Sequence, residues 1–347
     1  MIEKNDKILV TGGSGFVGSY ILSYLVSYGY TDIITITRNK ENIILPENIK
    51  AKIKIKEGDI LDVVFLEDII SQCKYIIHAA ALVSFKPKDK NSMMKTNIDG
   101  TANVVNLSLD HNIKKLIFIS SIASLGRTPG TDMYNENAQW EDNDINSDYA
   151  NSKYGAELEV WRGIVEGLNG AIINPSMILG AGVWNNGTGE FFSMIYKGLR
   201  FYPTGSNGFV DVRDVANMSI KLLESDISDE RFICSGENIK FKDLLMMIAN
   251  ELKTKPPTIK IKSGIVKSIS FFIDIFNFIS RGNSNLTSQS IRNISIDSKY
   301  DNSKSIKALN YKYIPIEKTI AETAQCFLNS KKNGTKYGLL EIKKGDS

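Results

Sequence analysis

The sequence predicts an α/β protein: a doubly wound parallel sheet with a smaller, mostly helical C-terminal lobe. Three observations carry this expectation. Short apolar runs such as Ile8-Leu9-Val10, Tyr75-Ile76-Ile77 and Leu116-Ile117-Phe118-Ile119 alternate with segments of helical period. Their apolarity is continuous rather than alternating, as a strand covered on both faces requires. Candidate ligand-binding turns (Gly12 to Gly18, Ala79 to Ala81, Ser120-Ser121) directly follow such runs, and doubly wound sheets bind ligands at the carboxyl ends of their strands.

Taken in order, Lys7 to Val10 opens as a strand, followed by a glycine loop and a helix carrying Phe16, Val17, Ile21, Leu22 and Leu25. Asp32 to Thr37 is β-branched and strand-like. Lys50 to Lys56 alternates lysine with apolar residues, which predicts a half-exposed strand over Ile53 to Lys56. A helix over Phe65 to Ile70, a strand entering His78 and a long helix from Asp89 to His111 come next. The strand Leu116 to Ile119 ends at Ser120-Ser121. Tyr149 begins a helix reaching Glu166, and Gly170 to Pro175 is a strand broken at its proline. Arg231 to Cys234 reads as a returning strand, and from Lys240 the pattern is helical and irregular. The expected organisation is a dinucleotide-binding domain over 1–175, with a returning strand and helix near 209–237. A substrate lobe is expected over 176–208 and 238–330, and a loose polar tail over 331–347.

Bulk properties narrow the function. The chain has 347 residues, enough for a full core, and its net charge of +3 is too small to point to nucleic acid. Cys73, Cys234 and Cys326 are odd in number and far apart, so neither a metal site nor a disulfide framework is expected, and a reducing, cytoplasmic setting is. His78 and His111 are the only histidines. The N-terminus lacks the apolar core of a signal peptide. Ile265 to Ile279 holds ten large apolar residues in fifteen, together with Lys267 and Asp274. That segment falls short of the roughly 20 residues a membrane helix needs, so a helix over the core or a pocket is expected, without stable membrane insertion.

The glycine loop has the spacing of a pyrophosphate cradle. Gly12 permits a tight turn, Gly15 allows close approach to the backbone, and Gly18 allows close packing of helix on strand. The first helical residues, Phe16 and Val17, then present free amides and the positive helix end to phosphate. Arg38 stands where NAD-preferring proteins usually carry an acid, and a guanidinium suits a 2′-phosphate. NADP is therefore expected ahead of NAD. Asp59 and Ile60 are placed beside the adenine. A plain helix N-cap is the competing reading of Asp59.

Tyr149 and Lys153 are separated by one helical turn, about 40° apart around the axis, and share a face. A free phenol, with a pKa of about 10, is a slow proton donor at neutral pH. The neighbouring ammonium is expected to lower that value while also holding the nicotinamide ribose. Ser121, at a strand end, is positioned to orient a substrate oxygen. A lone Tyr-x-x-x-Lys would read as a solvated helix face. After a strand-end serine in a dinucleotide fold, it reads as chemistry.

These residues resemble the extended short-chain dehydrogenase/reductases. The resemblance covers about residues 7 to 329 and rests on Thr11-Gly-x-x-Gly15-x-x-Gly18, Gly58-Asp59-Ile60, His78-x-Ala80-Ala81, Asn97 within Thr96 to Thr101, Ser120-Ser121, Tyr149-x-x-x-Lys153 and Asn174-Pro175. It implies a Rossmann domain in which Ser121, Tyr149 and Lys153 are the catalytic triad. It also implies that Asn97 helps hold a proton-relay water and that Pro175 lies near the nicotinamide. Thr11 and Ala79 to Ala81 join the implied cofactor contacts.

Phe209 to Ala216, Asn174 to Gly180 and the Arg38 position are similar to dihydroflavonol and cinnamoyl-CoA reductases. Nucleotide-sugar epimerases and dehydratases usually carry an arginine just before the equivalent of Phe209; here Ser206-Asn207-Gly208 occupies that place. The distinctive aromatic substrate motif of the plant reductases is also missing.

The leading expectation is an NADP-dependent reductase of a ketone or aldehyde, with Tyr149 as proton donor. The alternatives are a nucleotide-sugar epimerase or dehydratase with tightly held NAD, and a cofactor-sensing protein without chemistry. Phe85, Trp184, Phe191, Phe192, Tyr202 and the helix near Phe271 to Phe278 are expected to line an apolar pocket for a small carbonyl substrate. A homodimer through the helix bearing Tyr149 and the one after Asn91 would follow the family.

Overall fold

Five of the seven strands in the main sheet are buried along their whole length, as their unbroken apolar runs predict. The computed structural model describes residues 2–126, 131, 133–143, 146–261 and 296–342. The strands are β1 (Ile8–Thr11), β2 (Ile33–Thr37), β3 (Ile53–Glu57), β4 (Tyr75–His78), β5 (Lys115–Ile119), β6 (Gly170–Pro175) and β7 (Glu230–Cys234). All pair in parallel, in the order β7-β6-β5-β4-β1-β2-β3. The strand order reverses between β1 and β4. This is the doubly wound Rossmann arrangement, and its ligand crevice lies outside the carboxyl ends at that reversal.

Successive side chains along these strands feed opposite cores. Ile8 and Val10 of β1 join one cluster with Ile77, Ile117 and Ile173, whereas Leu9 joins the other with Ile76, Leu116, Phe118 and Ile172. The edge strand β3 departs from this pattern. Only Ile53 is buried in it, and Lys54 projects outward to pair with Asp32 at 2.9 Å. Lysines on an exposed edge discourage pairing with other strands.

The helices are α1 (Phe16–Ser27), α2 (Val63–Ile70), α3 (Gly100–Asp110), α4 (Asp148–Val165), α5 (Gly189–Tyr196), α6 (Val212–Glu224), α7 (Phe241–Glu251), α8 (Ser303–Leu309) and α9 (Ile316–Asn333). The long helix expected from Asp89 to His111 is a helical run in three pieces. An α-turn over Lys90–Met94 passes into a π-turn over Lys95–Asp99 and then into α3. The π-turn contains Asn97, and such insertions often sit at functional positions.

Beyond β6 the chain forms a second, three-stranded sheet from Met177–Leu179, Ser206–Asp211 and Glu237–Lys240. Phe209 to Asp211 belongs to this second sheet, while Glu230–Cys234, which contains the returning strand expected at Arg231 to Cys234, pairs with β6 of the main sheet. Asp211 caps α6 through the Arg213 amide and binds the buried Arg213 guanidinium at 2.6 Å, and Arg213 also reaches Glu322 of α9 at 2.6 Å.

Residues 331–342, expected as part of a loose tail, continue α9 to Asn333 and then dock. The Gly338 amide donates to the Gly182 carbonyl, and the Leu340 amide donates to the Tyr20 hydroxyl at 2.8 Å. Leu340 is buried. Among the described residues no helix is long and apolar enough to cross a membrane. The apolar segment Ile265 to Ile279, with the predicted pocket residues Phe271 to Phe278, lies outside the described residues.

Candidate active site

The glycine loop joins β1 to α1 at the strand reversal. Gly12 takes a φ of +74°, and a Cβ there would lie 2.7 Å from Ala80 Cα, so only glycine fits between this loop and the end of β4. A Cβ on Gly18 would strike the Gly12 carbonyl oxygen, which explains the third glycine as a packing requirement. Gly15 differs from both. It is exposed, and the only atom near its imagined Cβ is the Gly12 oxygen at 3.1 Å.

Gly15 is also the N-cap of α1, whose first turn has neither a capping side chain nor an acid. The leading amides of α1, at Phe16 and Val17, therefore keep unpaired N–H groups and the positive helix end. These features suit a pyrophosphate: an open glycine, free amides and no competing anion.

Other predicted cofactor residues fall around this cradle with distinct surroundings. Thr11 is buried beneath the loop. Its hydroxyl accepts from the Ala80 amide at 3.1 Å and lies 2.6 Å from His78 Nδ1. His78 Nε2 lies 3.0 Å from Thr101 Oγ1, which donates to the Asn97 carbonyl. Burial, helped by the nearby Lys153, pushes the His78 pKa down to about 3, so this imidazole is neutral and structural. The Thr11–His78–Thr101 chain locks β1, β4 and α3 together behind the site. Sequence reasoning gave Thr11 as a cofactor contact and included His78 and Thr101 only in quoted motifs.

Arg38 is exposed directly after β2, and the Thr37 hydroxyl ties that end to Ser14 of the glycine loop at 3.0 Å. Asp59 accepts from the Leu61 amide at 3.0 Å, closing a local turn. The N-cap of α2 is Asp62, which accepts from the Phe65 amide. The plain-cap reading of Asp59 therefore does not hold. Ile60 is buried against Gly100. Ala79 and Ala80 are half-buried at the end of β4, Ala81 is exposed, and Pro175 is buried at the end of β6 opposite Cys234.

The chemical residues converge at the end of β5. Ser121 follows this strand, caps the short turn Ile122–Leu125 through the Ala123 amide, and places its hydroxyl near that of Tyr149, where it favours the phenolate. Ser147 caps α4, fixing the start of the helix that carries Tyr149. Phe85 packs edge-on against the Tyr149 ring, with centroids 5.9 Å apart. One turn further along α4, Lys153 Nζ donates to the Ile119 carbonyl at 2.8 Å and sits 4.5 Å from the centre of the Phe118 ring.

The electrostatics differ from the expectation in one respect. Burial pushes the Tyr149 phenol above its ordinary range, and the Ser121 hydroxyl only partly offsets this. The Lys153 ammonium is directed at the Ile119 carbonyl rather than acting to lower the phenol. Burial brings Lys153 itself down to about 7, against the opposing pull of Glu157.

Asn97 is buried, and its amide is fully engaged. Oδ1 accepts from the Leu82 amide at 2.7 Å, and Nδ2 donates to the Leu82 carbonyl at 3.0 Å and to Ser152 Oγ at 2.9 Å. It pins the segment after β4 to α4.

The predicted pocket aromatics separate. Phe85 stands beside Tyr149. Trp184 and Phe192 are buried in the core around Phe327, where Trp184 meets that ring edge-on at 5.2 Å. Phe191 and Tyr202 are half-buried near α7. A cavity of about 580 Å³ lies beside α4, lined by residues including Trp140, Tyr154, Glu157, Trp161 and Arg231, and not by Ser121, Tyr149 or Lys153.

A dinucleotide cradle beside a Ser–Tyr–Lys cluster defines an NAD(P)-dependent enzyme of the extended short-chain dehydrogenase/reductase type. The chain belongs to the NAD dependent epimerase/dehydratase family, whose family model matches residues 8–234. Among curated relatives it is 26% identical over 267 residues to cinnamoyl-CoA reductase 1 of Oryza sativa subsp. japonica, covering 73% of this chain and 78% of that one. It is 29% identical over 257 residues to a putative dihydroflavonol 4-reductase of Synechocystis, covering 70% and 72%. Among solved structures, that of gox2253 superposes with a TM-score of 0.79 at 26% identity, covering 95% and 99%. A UDP-glucose 4-epimerase from Thermotoga maritima shares the fold at a TM-score of 0.75 and 20% identity, covering 94% and 99%.

Proposed function

We propose that this protein reduces a ketone or aldehyde with NADPH. The observation that carries the reading is the convergence of Ser121, Tyr149 and Lys153 at the end of β5 beside the glycine cradle, with Lys153 one turn beyond Tyr149 and donating to the Ile119 carbonyl. When bound, the dinucleotide supplies the hydride. Gly12, Gly15 and the leading amides of α1 hold its pyrophosphate, Arg38 takes the 2′-phosphate, and Asp59, whose second carboxylate oxygen has no partner among the described residues, takes the adenine amino group. Lys153 holds the ribose.

Ser121 orients the carbonyl oxygen and Tyr149 protonates it. A phenol held above its ordinary range stays protonated at neutral pH, as a donor must. A positioned acid of this kind is worth ~10²–10⁴ in rate. Asn97 acts by holding the Leu82 segment against α4. Phe85, beside Tyr149, forms an apolar wall for the substrate.

Cycling of tightly bound NAD, as in an epimerase, has less support. The strand leading to Phe209 carries Ser206, Asn207 and Gly208 in place of an arginine, and the two curated relatives compared above bear reductase names. As part of the same reading, the enzyme works in the cytoplasm as a homodimer joined through α3 and α4, where Leu158 and Val165 are exposed; sedimentation of the purified chain tests that assembly. The direct test of function is NADPH consumption across a panel of aldehydes and ketones. Carbonyl-dependent oxidation supports the reading. Bound NAD with sugar-nucleotide turnover and no net NADPH consumption would replace it.

A further inference from the structure

Tyr149, Lys153 and Glu157 stand at successive four-residue steps on α4, and so share one face. Glu157 is 2% exposed, and a carboxylate so buried needs strong compensation. Its Oε2 accepts from Ser120 Oγ at 2.6 Å, Ser124 Oγ at 2.6 Å and Asn174 Nδ2 at 2.8 Å. Its Oε1 accepts from Arg231 at 3.1 Å and from Trp161 Nε1 at 3.4 Å.

The donors to Oε2 come from the end of β5, the turn after it and the end of β6. They bracket Ser121, whose own carbonyl accepts from Asn174 Nδ2 at 3.1 Å and lies 2.7 Å from Ser124 Oγ. One carboxylate therefore joins the helix bearing Tyr149 and Lys153 to the turn bearing Ser121.

We propose that Glu157 is the positioning residue of this site, registering Ser121 against α4 and setting a buried negative charge one turn from Lys153 on the same helix face. The second role follows from the surroundings of Lys153. On its own helix it faces Tyr149 and Glu157. From β4 comes the neutral His78, and from β5 the Phe118 ring and the Ile119 carbonyl. From β7 comes Arg231, behind Glu157 and of the same sign as Lys153. Glu157 is thus the only anion among the described groups facing Lys153, and it also screens Arg231.

The proposal rests on the reductase reading for the role of Lys153, but NADPH binding tests it without turnover. The pH dependence of the NADPH dissociation constant is measured by quenching of intrinsic fluorescence in the wild type, Glu157→Gln and Arg231→Gln. In Glu157→Gln, affinity is lost at a pH lower by roughly one unit, the scale of one nearby opposite charge. Arg231→Gln moves the midpoint upward. Opposite shifts are not expected of two substitutions that only loosen the fold. If Glu157→Gln does not fold, Glu157→Asp keeps the charge and shortens the reach; it should hold the wild-type midpoint while kcat falls at least tenfold.

Unchanged midpoints in both glutamine variants, or shifts of the same sign, would overturn the proposal. So would a displaced midpoint or an undiminished kcat in Glu157→Asp. A wild type that binds NADPH but reduces no carbonyl would sink the reductase reading and leave the charge test standing.

Discussion

Lys153 donates to the carbonyl of Ile119 at 2.8 Å, the last residue of β5 before Ser120-Ser121. This contact ties α4 to the strand end that carries Ser121, so the ammonium, the phenol and the serine hydroxyl are held by one rigid corner. A site built on a strand end and a capped helix varies less than one built on loops.

The open face of Gly15 separates cofactor binding from folding. Gly15→Ala meets only the Gly12 oxygen, at 3.1 Å, so the melting temperature should change by no more than a few degrees. Its methyl group would enter the cradle and weaken NADPH binding by roughly tenfold or more, equivalent to about 1.4 kcal/mol. Gly18→Ala, which would strike the Gly12 carbonyl, should instead lower the melting temperature clearly. Calorimetry with and without NADPH distinguishes the two patterns.

Arg38 is expected to select the 2′-phosphate. Arg38→Ala removes a charge-assisted contact of about 1.5–3 kcal/mol, which predicts a loss of roughly ten- to hundredfold in NADPH affinity. Affinity for NADH, which lacks the phosphate, should change little. Titration with both dinucleotides measures this. Equal losses for the two would show that Arg38 does not read the phosphate.

Asp214 links α6 to the chain before α9, accepting from the Tyr311 hydroxyl at 3.0 Å and the Ile314 amide at 3.1 Å. Burial, with Asp211 nearby, raises its pKa to about 8. The unfolded chain releases this proton near pH 4, while the native state keeps it until about pH 8. Stability from this group is therefore full below pH 4 and is lost progressively as pH rises towards 8. Relative to Asp214→Asn, the wild type should gain stability as pH falls from 8 to 4. Denaturant unfolding of both proteins across that range tests the sign.

Much of this was legible in the sequence, because the signals were local. Continuous apolar runs marked the buried strands, and the glycine spacing marked a loop whose φ and packing admit no side chain at Gly12. Tyr149 and Lys153 share a face through helical geometry alone. What escaped depended on contacts distant in sequence. Glu157 gathers donors from Ser120, Asn174 and Arg231, and only the fold brings these together. Its spacing from Lys153 was the one available signal. Trp184 and Phe192 looked like pocket residues because aromatic character does not distinguish a cleft wall from a core; Phe327, far along the chain, places them in the core. The tail looked loose because its lysines and glycines dominate its composition, whereas Leu340 finds a partner in Tyr20, at the opposite end of the sequence.

The most direct test of the central claim is Tyr149→Phe, which removes one oxygen and keeps the ring against Phe85. Carbonyl-dependent NADPH oxidation should fall by ~10²-fold or more, while NADPH binding, measured in parallel, stays within a fewfold of wild type. Retained turnover in this variant would contradict the assignment of Tyr149 as the proton donor.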